Sequence, residues 1–353
     1  MMETSRLIKK AMEVVRNEGI SGCAKKTKDY LENQKRLRRK IEKKYKDILF
    51  ISGCGEDLPH PWRYRVKHQR EQLEAYNYST DEVYFTQLDI DQIRYYRAFV
   101  FFRCPMTETI GTFVDLAKQL NKTIIYDIDD LVIDTQYTDQ IKYVMAMPEE
   151  DKKAYDNNVM NMQKLLRKCD FAITSTDCLA EELRKYIPKV YINRNVASEK
   201  MIQLSKEAIV KIKKDNTKVK IGYFSGSITH NADFEMIKPV LIEVLKKYEN
   251  VELYLAGELD LPVELNPWKE RIKKHPFGDW KKLPEILAGM DINLAPLEDT
   301  IFNKAKSENK WTEAALVKVV TIASDIGAFH DCIKNGETGV LCKDNDEWKV
   351  ELE

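Results

Sequence analysis

The chain has 353 residues, with 57 Lys and Arg against 57 Asp and Glu, so its net charge is zero at neutral pH. That balance provides no global field to recruit nucleic acid, and the length suggests two domains, each able to bury a core. The seven cysteines are scattered without a C-x-x-C pair, which fits reduced thiols better than a disulfide framework or a zinc site. The N-terminal MMETSRLIKK lacks a signal-peptide core, and no run approaches the roughly 20 apolar residues of a membrane span. A cytoplasmic protein is expected.

Residues 1–47 are helical in pattern and basic, with most of the charge in KRLRRKIEKKYK. They read as a helical arm outside the sheets. It is solvated, pairs with another subunit, or touches anionic head groups at the inner face of a membrane. Its thin apolar face favours the solvated arm.

Residues 48–200 read as a first α/β domain. DILFISGC (Asp47–Cys54) is a buried strand ending in a turn. Ligands of open α/β sheets sit at strand carboxyl ends. The following stretch, GEDLPHPWRYRVKHQREQL, therefore offers Arg63, Tyr64, Arg65 and His68 either as cleft residues or as surface residues opening a helix. DEVYFTQLD and RAFVFFRCP are strands, and Arg103 at the end of the second is a cleft candidate. MTETIGTFVDLAKQL is an amphipathic helix capped near Thr107. TIIYDI is a strand with Asp127, Asp129 and Asp130 clustered at its carboxyl end. A carboxylate there can orient a hydroxyl or take its proton; Asp127 or Asp130 is the expected choice. Such a pair can also hold a divalent ion. CDFAITSTD and KVYINRNVA are the remaining strands, and the charged segment from about Glu199 to Thr217 is the expected domain boundary.

Residues 215–353 read as a second α/β domain. In VKIGYFSGSITHNADF, a strand runs into a Gly/Ser turn at Gly226 and Ser227, whose N–H groups can approach a phosphate; His230 can donate to it or to a sugar. VELYLAGEL is a strand, HPFGDWKKLPEILAGMDINLAPL a helix and a strand, and Trp280 can flank a nucleobase. The stretch NKAKSENKWTEAALVKVVTIASDIGAFHDCIKNGETGVLC (303–342) is the most informative. Ser307 is expected to cap a helix running to about Val317. Lys306, Lys310 and Glu313, at i, i+4 and i+7, share its N-terminal face. Two lysines at a helix N-terminus suit a diphosphate, and a carboxylate one turn on suits the cis hydroxyls of a ribose. VVTIAS follows as a strand, then turns and a short last strand.

The lysine–serine–x–x–lysine–aromatic–x–glutamate–alanine pattern at 306–314, Ala-Ser-Asp-Ile-Gly and Asn-Gly-Glu-Thr-Gly resemble the nucleotide-sugar half of GT-B glycosyltransferases. They are most similar to the family 4 retaining enzymes of bacterial surface-polysaccharide assembly. SGSITHNADF and the Asp-x-Asp-Asp-Leu at 127–131 are similar to segments of the same family. The resemblance implies two Rossmann-like domains facing a cleft, with acceptor on the first and donor on the second. It implies transfer from a nucleoside diphosphate-sugar to a glycan or lipid-linked glycan, without a cofactor and without a metal. It places Glu313 on the ribose and has the Gly336–Gly339 turn close that pocket. Gly226, Ser227, His230, Lys306 and Lys310 fall on the donor side. Arg63, Tyr64 and Arg103 fall on the acceptor side, with Asp127, Asp129 and Asp130 at the reacting centre.

The chain departs from the family in three places. Ala305 stands where many members have a first glutamate. The usual Arg and Lys of the early second-domain loops are not evident, and Lys318 and Val320 replace a helix-ending Gly and a Pro. The sequence also stops at DNDEWKVELE, where helices crossing back to the first domain would begin. Those departures motivate an alternative, a non-catalytic GT-B partner or scaffold subunit. A sugar-nucleotide epimerase shares the fold but needs an acid/base set around the sugar that is not seen.

Overall fold

A computed structural model describes residues 27, 45–55, 59–225, 231–257, 259, 261–276 and 278–353. The expected basic arm, 1–47, lies almost entirely outside the described residues. So do three donor-side candidates, Gly226, Ser227 and His230.

The first sheet holds β1 (Lys46–Ser52), β2 (Thr80–Tyr84), β3 (Tyr96–Phe102), β4 (Thr123–Asp127), β5 (Phe171–Thr174) and β6 (Val190–Ile192). Their order is β2-β1-β3-β4-β5-β6, and every pairing is parallel. Alternation along the strands sorts the side chains. Leu49, Ile51, Phe99, Phe101, Ile124 and Tyr126 face one core, filled by Phe113 and Val114 of helix Glu108–Gln119 and by Leu165 and Leu166 of helix Glu149–Lys168. Phe50, Val100 and Phe102 face the other side, against Val66. A one-residue slip would exchange the two sets, so burial fixes the register.

The second sheet holds β7 (Val219–Phe224), β8 (Val251–Ala256), β9 (Ile272–His275), β10 (Ile292–Ala295), β11 (Val320–Ser324) and β12 (Val340–Cys342). Its order is β12-β11-β10-β7-β8-β9, again parallel throughout. The chain reverses direction across the sheet between β7 and β10, the kind of point where such sheets bind ligands. The molecule is thus α/β with two Rossmann-like domains.

Several elements differ from the sequence expectation. The strand β9 was not expected, because only Ile272 of IKKH is buried and an edge strand gives no alternating signal. The charged boundary is a helix, Glu199–Lys211, capped by the Ser198 hydroxyl. It seats Ala208 against Leu287 and Ala288 of the second domain; its solvated face masked that apolar stripe. Gly327–Cys332 is a short helix where turns were read. Helix Asn345–Leu352 buries Trp348 and Leu352 with Val244 and Leu245, so it packs within the second domain. Among the described residues, no helix is long and apolar enough to cross a membrane.

Lys318 closes a helix in a conformation that favours glycine. Helix Asn309–Leu316 ends in a Schellman turn: the Val319 N–H donates to the Ala314 carbonyl (3.0 Å) and the Lys318 N–H to Ala315 (3.0 Å). The turn needs a left-handed residue, and Lys318 supplies it at φ 61°. A side chain there costs about 1 kcal/mol that glycine avoids. Lys318→Gly should therefore raise the unfolding free energy by about 1 kcal/mol; a denaturation midpoint that falls instead would refute this account.

Candidate functional site

A cavity of about 520 Å³ opens between the two sheets at their carboxyl ends. The first domain lines it with His60, Tyr64, Arg103, Asp129 and Asp130, and the second with Ser225, Gly257, His275, Lys306, Lys310 and Glu313. Gly257 has φ 96°, and a Cβ there would lie 1.9 Å from the Ser225 carbonyl oxygen. Only glycine lets the β8 end pass so close to the β7 end.

Lys310 sits in the first turn of helix Asn309–Leu316. Its Nζ is buried and has no hydrogen-bond partner among the described residues, and it lies over the ring of Tyr223 at 4.8 Å. Desolvation pushes its pKa down to about 8, opposed by Asp233. Lys306 stands one turn before it on the cavity wall. Ser307 is not the helix cap: position 308 takes that place without a side-chain bond. The Ser307 hydroxyl instead accepts from Asn195 Nδ2 across the domain boundary (3.1 Å), because the boundary needs the donor met.

Glu313, the carboxylate expected for a ribose, meets the first domain. Tyr64 Oη donates to its Oε1 at 2.6 Å and Arg63 Nη2 at 3.2 Å. Burial raises the Glu313 pKa, and Arg63 pulls it back. The Arg63 guanidinium lies over Trp280 at 4.6 Å. Arg63 and Tyr64, expected on the acceptor side as cleft or surface residues, are therefore buried contacts of the second domain's carboxylate.

The aspartate cluster divides. Arg103, at φ 46°, donates from Nε to Asp129 (2.6 Å) and from Nη2 to Asp130 (2.9 Å). Burial disfavours its charge, but the two carboxylates outweigh that and raise its pKa. Gly53 admits this turn: a Cβ there would meet the Arg103 carbonyl oxygen at 2.1 Å. Asp127, the third candidate, does not reach the cavity. Its carboxylate is fully buried, 2.9 Å from Arg65 Nε and 2.7 Å from Gln69 Nε2. Burial pushes its pKa up to about 6, against the pull of Arg65. The expectation that it faces the cleft is corrected by the strand's alternation, which turns it under helix Gln69–Ala75. Among the described residues, no three His, Cys, Asp or Glu side chains are grouped to hold a metal ion.

The structure also places Ala305 and the Gly336–Gly339 turn. Ala305 is fully buried with the first domain's core, and its carbonyl accepts from Thr176 Oγ1 (2.9 Å); a glutamate there would displace that contact. The Gly336–Gly339 turn does not line the cavity. It holds the helix from behind, where Trp311 Nε1 donates to the Thr338 carbonyl (2.8 Å). Sequence reasoning missed His60, which lines the cavity with its pKa lowered to about 4 by burial, and then by Arg63. It missed the bridging role of Asn195, which also reaches Asn309 (3.1 Å) and accepts from Arg65 (3.1 Å).

Two parallel α/β domains with a ligand-sized cavity between their strand ends define a GT-B-like architecture. Residues 218–351 match a family model described as glycosyl transferases group 1. No curated protein matches the chain. Among solved structures it is similar to Anabaena Alr3699/HepE in complex with UDP-glucose, at 14% identity over 87% of this chain and 89% of that one, TM-score 0.50. It is also similar to a glycosyltransferase from Rickettsia africae ESF-5, at 13% identity over 87% and 86%, TM-score 0.51. At such identities the likeness is one of fold.

Proposed function

We propose that the protein is a glycosyltransferase that moves a sugar from a nucleoside diphosphate donor, held by the second domain, to a glycan acceptor held against the first. The carrying observation is Lys310: a buried ammonium without a hydrogen-bond partner among the described residues, in a cavity and at a helix N-terminus. A diphosphate would supply charged acceptors within reach of that ammonium. With Lys306 it would stabilise charge developing on the leaving phosphate. Glu313 would accept the ribose hydroxyls, with Gly226, Ser227 and His230 on the phosphates or sugar. Asp129 and Asp130, steadied by Arg103, would orient the acceptor hydroxyl. The family match in the second domain supports this reading, and the UDP-glucose of the HepE complex suggests a uridine donor. Retention at the anomeric carbon, a metal-independent reaction, a cell-surface or lipid-linked acceptor and an inner-membrane location extend the same proposal.

The test is calorimetric binding of UDP, GDP and dTDP to the protein and to Glu313→Ala. One nucleotide should bind, and the variant should weaken it by about tenfold or more. Binding of none would favour a non-catalytic subunit, a reading also suggested by the Tyr64 and Arg63 bonds already on Glu313.

A further inference from the structure

We propose that Tyr64 and Arg63 are positioning residues of the donor site, so that the ribose pocket is built jointly by both domains. This rests on the donor reading of Glu313. Tyr64 and Arg63 are 3% and 5% exposed. Each is fixed by its own neighbour: the Tyr64 ring meets His68 edge-on at 4.9 Å, and Arg63 stacks on Trp280. Both donate to Oε1 of Glu313. A carboxylate has about four lone-pair positions, so two donors on one oxygen leave Oε2 for a ligand. Holding the carboxylate in one rotamer before the nucleotide arrives removes an ordering cost from binding. Arg63 also opposes the rise in pKa that burial imposes on the carboxyl, which favours the ionised form that best accepts two hydroxyls. Since both donors come from the first domain, ribose recognition depends on the two domains being apposed. Residues serving only the acceptor would leave nucleotide affinity untouched.

The experiment measures dissociation constants of UDP and GDP against their 2′-deoxy forms, for the wild type, Tyr64→Phe, Arg63→Lys and Glu313→Gln. Melting temperatures of all four proteins are recorded alongside. In the wild type, the preferred nucleotide should bind about tenfold or more tighter than its deoxy form. That ratio should fall to about one to three in Tyr64→Phe and in Glu313→Gln, with deoxynucleotide binding little changed. Arg63→Lys, which keeps the cation but loses the stacked fork, should lie between. A general loss of structure would weaken both nucleotides together and leave the ratio alone. An undiminished ratio in folded Tyr64→Phe and Arg63→Lys overturns the inference while leaving Glu313 on the ribose. Failure of the wild type to bind either nucleotide overturns the donor reading, and this inference with it.

Discussion

Lys310→Met should make the protein more stable and remove its affinity for a nucleoside diphosphate. The ammonium is buried without a hydrogen-bond partner among the described residues, and desolvation lowers its pKa to about 8. Against a normal value near 10.4, that is a cost on the order of 3 kcal/mol at neutral pH. Methionine fills similar volume without it. The sign with pH follows from linkage. The folded pKa lies below the unfolded one, so the unfolded chain binds more protons between them, and wild-type stability rises across about pH 8 to 10.4. The advantage of Lys310→Met is therefore full below pH 8 and shrinks through that window. Binding should move the other way. A diphosphate needs the charged form, so wild-type affinity should fall as pH rises past about 8, and the variant should lose about 100-fold at neutral pH. Thermal unfolding and calorimetry on the same samples read both effects. A less stable variant that binds nucleotide normally would make Lys310 a packing residue.

Arg65→Met should carry the largest stability loss. Arg65 and Asp127 are both 0% exposed. Removing one partner of a buried pair costs about 3–5 kcal/mol, on the order of a 10 °C fall in melting temperature for a domain of this size. Arg65 also ties Asn193 (2.5 Å) and Asn195 into the same knot. The folded pKa of Asp127 is already raised to about 6 by burial, and without Arg65 it rises further. Stability linked to a raised carboxyl pKa is fully present below its unfolded value and lost as pH rises through the folded one. The variant's deficit should thus be larger at pH 8 than at pH 5. Replacing both partners, Arg65→Met with Asp127→Leu, should recover much of the loss, since neither charge is then stranded. If that double variant retains turnover, Asp127 has no part in the chemistry. A dead but stable double variant would return it to the reacting centre.

The aspartates show where sequence reading stops. The run TIIYDIDDL marks a strand end with clustered carboxylates, and the structure puts one there. It cannot say which carboxylate faces the cavity. Alternation and the helix above decide that, sending Asp127 inward to Arg65 and leaving Asp129 and Asp130 to Arg103. The same limit holds for RYRVKH, which is wound as a π-helix over Arg63–His68. Its wider turn sets which side each residue takes. Arg63 and Tyr64 meet Glu313 while Arg65 goes beneath the sheet edge. A sequence window with the ordinary helical period does not contain that phase.

The sequence by itself determined the central strands of both sheets, because strands buried on both faces must be continuous apolar runs and those are written locally, while the edge strand β9 was not legible. It also determined the helix that carries Lys310 and Glu313 on one face, since that face follows from the 3.6-residue period. Tertiary structure alone decided what each charged group touches. Arg63 and Glu313 stand 250 positions apart, and only the docking of one domain on the other brings them to 3.2 Å. An ion pair's partner is set by distance in space, on which local periodicity has no bearing.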